Sequence, residues 1–172
     1  MRRGAATIFA SSCAAIAAIA IASAVKFPPI LVWNASASAP IGLYGVKRNE
    51  HLQVGDYLLV RPDETLAKLI AERGYLPENI PLLKRVAALP GDEICRENIA
   101  IFINEIHVAD AQIFDSFGRE MPAWIGCFTL MEDELFLLNN HDNSLDGRYF
   151  GATNFDDVIG VAKPLWIMES DR

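Results

Sequence analysis

The chain has 172 residues, of which 52% are hydrophobic and 22% charged, so it can build an apolar core and is not a disordered protein. Its net charge of −7 is unevenly divided, because residues 1–33 contain Arg2, Arg3 and Lys26 and no acid. The remaining residues therefore carry −10, the difference between −7 and +3. Such an acidic body lacks the basic surface that phosphate backbones require, which predicts no direct binding of DNA or RNA.

The N-terminus predicts a membrane anchor. Residues 4–25 carry no charge, and a helix of that length spans roughly 33 Å, against about 30 Å for the hydrocarbon core of a bilayer. The arginines before it predict a cytoplasmic N-terminus, with residues 1–27 as the anchor and an exported domain over residues 28–172. A removable signal peptide, cut after the small residues Ala35–Ala37, is the alternative. Both interpretations export the body.

The body after the anchor predicts a mainly β domain with one short helix. Asp63 can cap a helix over residues 64–73, and Asn104 and Glu105 separate two apolar runs as a hairpin turn would. Short apolar runs bounded by Gly, Pro, Asn and Asp predict the strands, at residues 58–60, 86–89, 99–103, 135–138 and 158–161.

The cysteines and histidines predict no metal site. The chain has three of each, but no CxxC and no histidine at ligand spacing from a cysteine. Cys13 lies inside the apolar N-terminal run, which leaves Cys95 and Cys127 as the one pair that could form a disulfide in an exported body. Sequence gives no distance between them, so a disulfide and two unpaired buried thiols both stay open.

Three segments carry polar residues that could do chemistry. Ser36 and Ser38 alternate with alanines before Pro40, where small residues would let a substrate backbone approach. Taken alone, this segment also fits a linker. Lys84 is embedded in an apolar run, and burial would lower the pKa of its amine and favour the neutral form, which can accept a proton. A strand-edge lysine that reaches water is the alternative.

The third segment follows the apolar run 135–138 and contains Ser144, Asp146 and Arg148. Asp146 and Arg148 could form an ion pair, and Ser144 and Asp146 could orient a nearby base. By itself the segment also fits a hydrogen-bonded surface turn, which is the alternative.

The combination and order of these motifs resemble the bacterial type I signal peptidases. The motifs are Ser-Ala-Pro at 38–40, Lys-Arg-Val at 84–86 followed by Pro-Gly-Asp at 90–92, and Ser-x-Asp-x-Arg-Tyr-Phe-Gly at 144–151. Residues 54–60 are similar to an intervening structural strand of that family. Within the family, the first and last motifs are most similar to the conjugative-transfer (TraF-type) branch, over residues 34 to about 166.

The resemblance implies a signal-peptidase-like fold of two antiparallel sheets and a serine peptidase mechanism without a metal or cofactor. It implies roles for six residues: Ser38 as nucleophile, Lys84 as general base, Ser36 in the oxyanion hole, Asp146 in activity, Ser144 as a hydrogen-bond partner of the lysine, and Arg148 in a structural ion pair. Ala39 replaces a common Met, and Gly147 replaces a usual Ser, which would leave that turn more flexible.

The implied substrate is an exported precursor, a conjugative pilin subunit, cut on the periplasmic side of a bacterial inner membrane, with conjugation or type IV secretion components as further partners. Hydrolysis and cyclisation of the pilin both stay open. Two rival hypotheses remain: a Ser–His–Asp hydrolase with His141 as base, and a non-catalytic periplasmic assembly factor on a peptidase scaffold.

Overall fold

The computed structural model describes residues 2–24, 30–48, 51–78 and 80–168. It contains three helices in these ranges: α1 (Arg2–Ala24), α2 (Glu64–Glu72) and the single turn α3 (Gly147–Phe150). The strands are β1 (Leu31–Asn34), β2 (Gly42–Lys47), β3 (Tyr57–Val60), β4 (Leu82–Ala88), β5 (Glu93–Glu97), β6 (Ala100–Ile103), β7 (Ile106–Asp110), β8 (Gly126–Thr129), β9 (Glu134–Leu137), β10 (Thr153–Asn154) and β11 (Val158–Ile167).

The strands form two antiparallel sheets, as the resemblance implied. The large sheet has the order β1-β2-β11-β3-β4-β9-β10, and the small sheet has the order β7-β6-β5-β8. In the large sheet, Leu58 of β3 lies opposite Lys84 of β4, and Val86 lies opposite Leu137 of β9. Lys84 is therefore on an interior strand, flanked on one edge by β3 and on the other by the end of β9.

The locally encoded elements agree with the sequence. Asp63 caps α2 by accepting a hydrogen bond from the Leu66 N–H at 2.9 Å. Asn104 and Glu105 join β6 to β7 with φ angles of 48° and 66°, the left-handed values that a two-residue hairpin turn requires. Each predicted strand overlaps an observed strand, but β11 runs to residue 167, beyond the predicted end at residue 161.

Side chains on the two faces of the large sheet pack into separate apolar clusters. One face carries Leu58, Leu82 and Val86, which pack with Ile70 of α2. The other face carries what we call the Ala39 cluster, formed by Ala39, Tyr44, Val46, Leu59, Leu83 and Ala162. A third cluster joins the end of β9 to the small sheet. Because side chains alternate along a strand, Lys84 faces the same side as Leu82 and Val86, opposite to Leu83.

Cys95 and Cys127 form a disulfide across paired positions of β5 and β8. This decides between the two alternatives that the sequence left open, because antiparallel pairing brings the two residues side by side. Cys13 is exposed on α1 with a free thiol.

The segment predicted as an anchor is helical over Arg2–Ala24. Among the residues described, no helix has both the length and the apolarity that a membrane span needs. The predicted transmembrane character of residues 1–27 is thus not confirmed, and the predicted boundary between residues 27 and 28 lies outside the described residues.

Candidate active site

The predicted nucleophile lies on a loop between β1 and β2 that one asparagine organises. Asn34, buried at the end of β1, donates through its side-chain Nδ2 to the carbonyls of Ser36, Ala39 and Pro40 at 2.9–3.1 Å. Its Oδ1 accepts from the Ser36 N–H at 3.1 Å. The Tyr44 hydroxyl also donates to the Pro40 carbonyl, at 2.7 Å. Side chains thus hold the loop, which has no partner strand in the described part of the chain.

Ser38 is half-buried on this loop, and its hydroxyl lies 3.0 Å from the hydroxyl of Ser36. The Ser38 N–H also donates to Ser36 Oγ, at 3.4 Å. The two groups predicted to bind an oxyanion, the Ser38 N–H and the Ser36 hydroxyl, therefore lie beside each other. The Ser36 hydroxyl would have to rotate away from Ser38 before both could point at a substrate oxygen.

Lys84 is 4% exposed, and its amine donates to Ser144 Oγ at 3.1 Å. Burial lowers the pKa of Lys84 from 10.5 to about 8, with Asp146 opposing that shift and Arg148 adding to it. At pH 7 a lysine with a pKa near 8 is neutral in about one molecule in ten, compared with about one in 3,000 for an ordinary lysine. The fold thus leaves this amine neutral, and so able to accept a proton, far more often than an exposed lysine.

A fully buried ion pair, Asp146–Arg148, lies close enough to Lys84 to influence its pKa. Arg148 Nε donates to Asp146 Oδ1 at 2.8 Å, and both side chains are buried. The same guanidinium donates to the carbonyls of Asp110, Asn139 and His141, among others, at 2.8–3.3 Å. Asp146 also caps α3 by accepting from the Arg148 N–H. The predicted Asp146–Arg148 pair is present, and it fixes the loop that carries Ser144.

Ala39 and Leu83, the chain neighbours of Ser38 and Lys84, both belong to the Ala39 cluster, whereas the Lys84 side chain faces the opposite side of β4 from Leu83. Ser38 and Lys84 are both described, yet no hydrogen bond joins the Ser38 hydroxyl to the Lys84 amine; each is bonded to another serine. The structure brings Lys84, Ser144, Asp146 and Arg148 together and keeps Ser38 and Ser36 in a second, separately bonded group. The catalytic roles of all six stay predictions.

Glycine at position 147 is explained by close packing, and not by the flexible turn that the sequence predicted. A Cβ at this position would lie 2.6 Å from Phe136 Cε2 and 2.8 Å from the Leu137 carbonyl oxygen. The carbonyl of Gly147 also accepts from Trp124 Nε1 at 3.0 Å. The expected extra flexibility is therefore wrong: glycine is required because the turn is packed tightly against β9, where a serine would clash.

His141, the base of the rival hydrolase hypothesis, lies on an exposed turn, where its Nδ1 accepts from the Asn143 N–H at 3.1 Å. Over the described ranges no three His, Cys, Asp or Glu side chains come together as a metal-binding group. Sequence reasoning missed the part played by two asparagines, Asn34 and Asn139. Their signal was position, since each is the first polar residue after an apolar strand.

Comparison with known proteins places the chain among signal peptidases. The family model described as "Signal peptidase, peptidase S26" matches residues 4–167. A plasmid transfer protein TraF of Escherichia coli is 30% identical over 143 residues, which cover 77% of this chain and 80% of that protein. A conjugal transfer protein TraF of Agrobacterium fabrum is 29% identical over 145 residues, covering 79% of this chain and 82% of that protein.

Among solved structures, a signal peptidase I from Enterococcus faecalis aligns with a TM-score of 0.39 and 20% identity, covering 65% of this chain and 97% of that one. The family match spans the loop that carries Ser38, the strand β4 that carries Lys84, and the Ser144–Arg148 segment. The chain belongs to the signal peptidase family, peptidase S26.

Proposed function

We propose that the chain is a serine endopeptidase in which Ser38 is the nucleophile and Lys84 the general base. The observation that carries this proposal is the environment of Lys84. A lysine on an interior strand, 4% exposed, is costly to the fold, and its amine has a pKa lowered to about 8. That combination is typical of a lysine kept neutral for proton transfer.

The Lys84–Ser144 hydrogen bond suits this role. A neutral amine has two N–H donors and one lone pair, and donation to Ser144 uses one N–H without occupying the lone pair. The lone pair is thus available to take a proton from a hydroxyl on another side of the nitrogen. Ser144 would orient the amine, and the Asp146–Arg148 pair would hold Ser144 in place.

The reaction follows from these groups. Lys84 Nζ takes the proton of the Ser38 hydroxyl as Ser38 Oγ attacks the scissile carbonyl carbon. The Ser38 N–H and the rotated Ser36 hydroxyl stabilise the oxyanion, each donor contributing about 3 kcal/mol in sites of this kind. As the C–N bond breaks, protonated Lys84 gives its proton to the leaving amine. The acyl group stays on Ser38 as an ester. Water, or the amino group of the substrate itself, then releases the acyl group as an acid or as a cyclic amide.

This cycle requires Ser38 Oγ and Lys84 Nζ to come within hydrogen-bond distance when substrate binds. Catalytic hydrogen bonds are often long or misaligned in free enzymes and tighten in the complex. The Ser38 hydroxyl would leave Ser36 in that step, an exchange that would also free the Ser36 hydroxyl for the oxyanion.

We propose a conjugative pilin precursor as the substrate and conjugal transfer as the process. The support is that the relatives from Escherichia coli and Agrobacterium fabrum are named as plasmid and conjugal transfer proteins. Components of a conjugation or type IV secretion apparatus would be further partners. The acidic body, at −10, gives no support to nucleic acid as a direct partner.

We also propose that the domain works at the periplasmic face of the inner membrane. Trp33 and Trp166 are stacked at 5.7 Å between ring centroids and more than half exposed, beside exposed Leu31 and Leu165. Tryptophan favours the membrane–water interface, and Trp33 directly precedes the nucleophile loop. Fractionation of cells producing the chain should recover it with inner membranes; recovery in the cytoplasmic fraction would contradict the proposal.

The test is to produce the chain with a pilin precursor and resolve the product by mass. Ser38→Ala and Lys84→Ala should each abolish processing, whereas His141→Ala should leave it intact because His141 is a turn residue. The product mass also separates hydrolysis from cyclisation, which differ by one water. Processing that survives both the Ser38 and Lys84 substitutions would refute the peptidase.

A non-catalytic assembly factor is the second candidate. The observation that favours it is that Ser38 and Lys84, both among the described residues, are each hydrogen-bonded to another serine and not to each other. If it were correct, Ser38→Ala would leave pilus assembly intact and the precursor would keep its mass in the presence of the wild-type chain.

A further inference from the structure

Asn139 meets the strand of Lys84 at the point where β9 leaves the sheet. The last main-chain bond between the two strands runs from the Leu138 N–H to the Arg85 carbonyl, at 2.9 Å. One residue further on, the Asn139 side chain continues the pairing: its Oδ1 accepts from the Arg85 N–H at 2.9 Å, and its Nδ2 donates to the Leu83 carbonyl at 3.2 Å. These two peptide groups flank Lys84 on either side.

The main chain of Asn139 is bonded to the buried ion pair. Its N–H donates to Asp146 Oδ2 at 3.1 Å, and its carbonyl accepts from an Arg148 guanidinium nitrogen at 2.8 Å. Asn139 is 2% exposed, so these contacts lie away from water. One residue therefore connects the backbone on both sides of the lysine with the two charges nearest to its amine.

We propose that Asn139 is a positioning residue for Lys84. Its side chain clamps β4 by bonding to the peptide groups on both sides of the lysine, and this keeps the Lys84 amine hydrogen-bonded to Ser144 and shielded from water. The clamp needs one acceptor and one donor on a short side chain, and asparagine supplies both. Alanine would leave the Arg85 N–H and the Leu83 carbonyl without partners, and water would enter to satisfy them. The catalytic meaning of this inference rests on the proposed function, but the placement of the amine does not.

The charges around the amine are few, which makes its titration a clean measure of the clamp. Asp146 and Arg148 are the charged groups that act on it, from the segment behind β9, and Ser144 is its hydrogen-bond partner. Across β3 it faces Leu58, which is aliphatic, and Arg85 projects to the other side of the strand. Because burial is the largest cause of the lowered pKa, admitting water should return the pKa of Lys84 toward its ordinary value.

The experiment is a lysine-side-chain NMR titration of the full chain, which has five lysines, with Lys84→Met to identify the signal. In wild type the Lys84 signal should titrate with a midpoint near 8. Asn139→Ala should raise that midpoint by about one pH unit or more. Asn139→Ser, which keeps a polar group at this position and adds no charge beside the amine, should raise it too and provides a milder variant if alanine prevents folding.

Two controls separate positioning from general stability. Asn140→Ala alters the neighbouring asparagine, which is exposed and accepts from the Arg85 guanidinium instead of the backbone, and should leave the midpoint unchanged. Ile101→Val weakens the core of the small sheet, and should lower Tm without moving the Lys84 midpoint.

A folded Asn139→Ala or Asn139→Ser protein whose Lys84 midpoint equals that of wild type would overturn the positioning role. The precursor-processing assay is a separate readout, because the titration needs no substrate. If wild type processes nothing while the Asn139 variants still raise the midpoint, the proposed function fails and the positioning role stands. If wild type processes the precursor and the Asn139 variants leave the Lys84 midpoint unchanged, the positioning role fails and the proposed function stands.

Discussion

The two halves of the candidate site are built in opposite ways. The Ser38 loop is partly exposed and is held by local hydrogen bonds from Asn34, which spans only residues 34–40. The Lys84 side is buried and is held by contacts far apart in sequence, such as the Lys84–Ser144 bond across 60 residues. In the proposed mechanism the nucleophile must meet a large substrate and the lysine base must be kept from water, and the environment of each half suits its proposed role.

This difference predicts unequal consequences of mutation. Substitutions in the lysine half should change the stability of the whole fold, because the groups that surround the amine also tie β4 to β9 and α3. Substitutions in the serine loop should change activity with less effect on stability.

Breaking the buried ion pair should have the largest effect. Asp146→Ala leaves the Arg148 guanidinium buried and unpaired, which should cost about 3–5 kcal/mol of unfolding free energy. Glu64→Ala is the matched control, since it breaks an ion pair with Lys68 whose side chains are 83% and 60% exposed and should cost less than about 0.5 kcal/mol. Urea unfolding measures both. Equal losses of unfolding free energy would mean that the buried Asp146–Arg148 pair contributes no more to stability than the exposed Glu64–Lys68 pair.

Lys84→Met should stabilise the protein while removing its activity. Because the folded-state pKa of Lys84 is lowered to about 8 from 10.5, the folded protein pays for protonation at every pH below about 8, by about 3 kcal/mol. After the loss of the bond to Ser144, about 2 kcal/mol of net gain is expected at pH 7.

The sign of this effect can be checked by pH. The wild-type penalty is lost as pH rises from about 8 to 10.5, so the advantage of Lys84→Met should shrink over that window. Unfolding free energies measured at pH 7 and pH 10 test it, and an advantage that grows with pH would contradict the assigned burial effect.

In the serine half, Asn34→Ala should cost about 1–2 kcal/mol of stability, because it leaves the buried Ala39 carbonyl without this donor. Processing should nevertheless fall about 10- to 100-fold, since the loop would no longer hold Ser38 in place. Asn154→Ala is a control of similar size: it removes the cap of the turn at Phe155–Asp157 and should leave processing unchanged. If both variants process precursor equally well, the Asn34 network has no catalytic importance.

The sequence predicts most of what depends on neighbouring residues. The Asp63 cap of α2 and the turn at Asn104 and Glu105 are written in a few consecutive positions, and both are found. The ion pair of Asp146 with Arg148 was also within reach because the two residues lie two positions apart.

The features that the sequence did not predict depend on strand pairing between segments that lie far apart in the chain. β2 (Gly42–Lys47) is not among the strands that the sequence predicts, and it becomes a strand because β1 and β11 flank it. The pairing of Cys95 with Cys127 follows from the register of β5 with β8, which no local pattern encodes. In the same way, the clamp of Asn139 on Leu83 and Arg85 appears only once β9 lies beside β4.

Whether the Lys84 amine lies close to the side chain of residue 38 can be measured without a substrate. In a Cys13→Ser background, Ser38→Cys introduces a thiol whose alkylation rate against pH reports its pKa, followed by mass spectrometry of the peptide. A protonated Lys84 close by should lower the pKa of that thiol below its usual value of about 8.5 and speed alkylation at pH 7, and Lys84→Met should abolish the effect. Identical alkylation profiles with and without Lys84 would contradict a Ser38–Lys84 dyad.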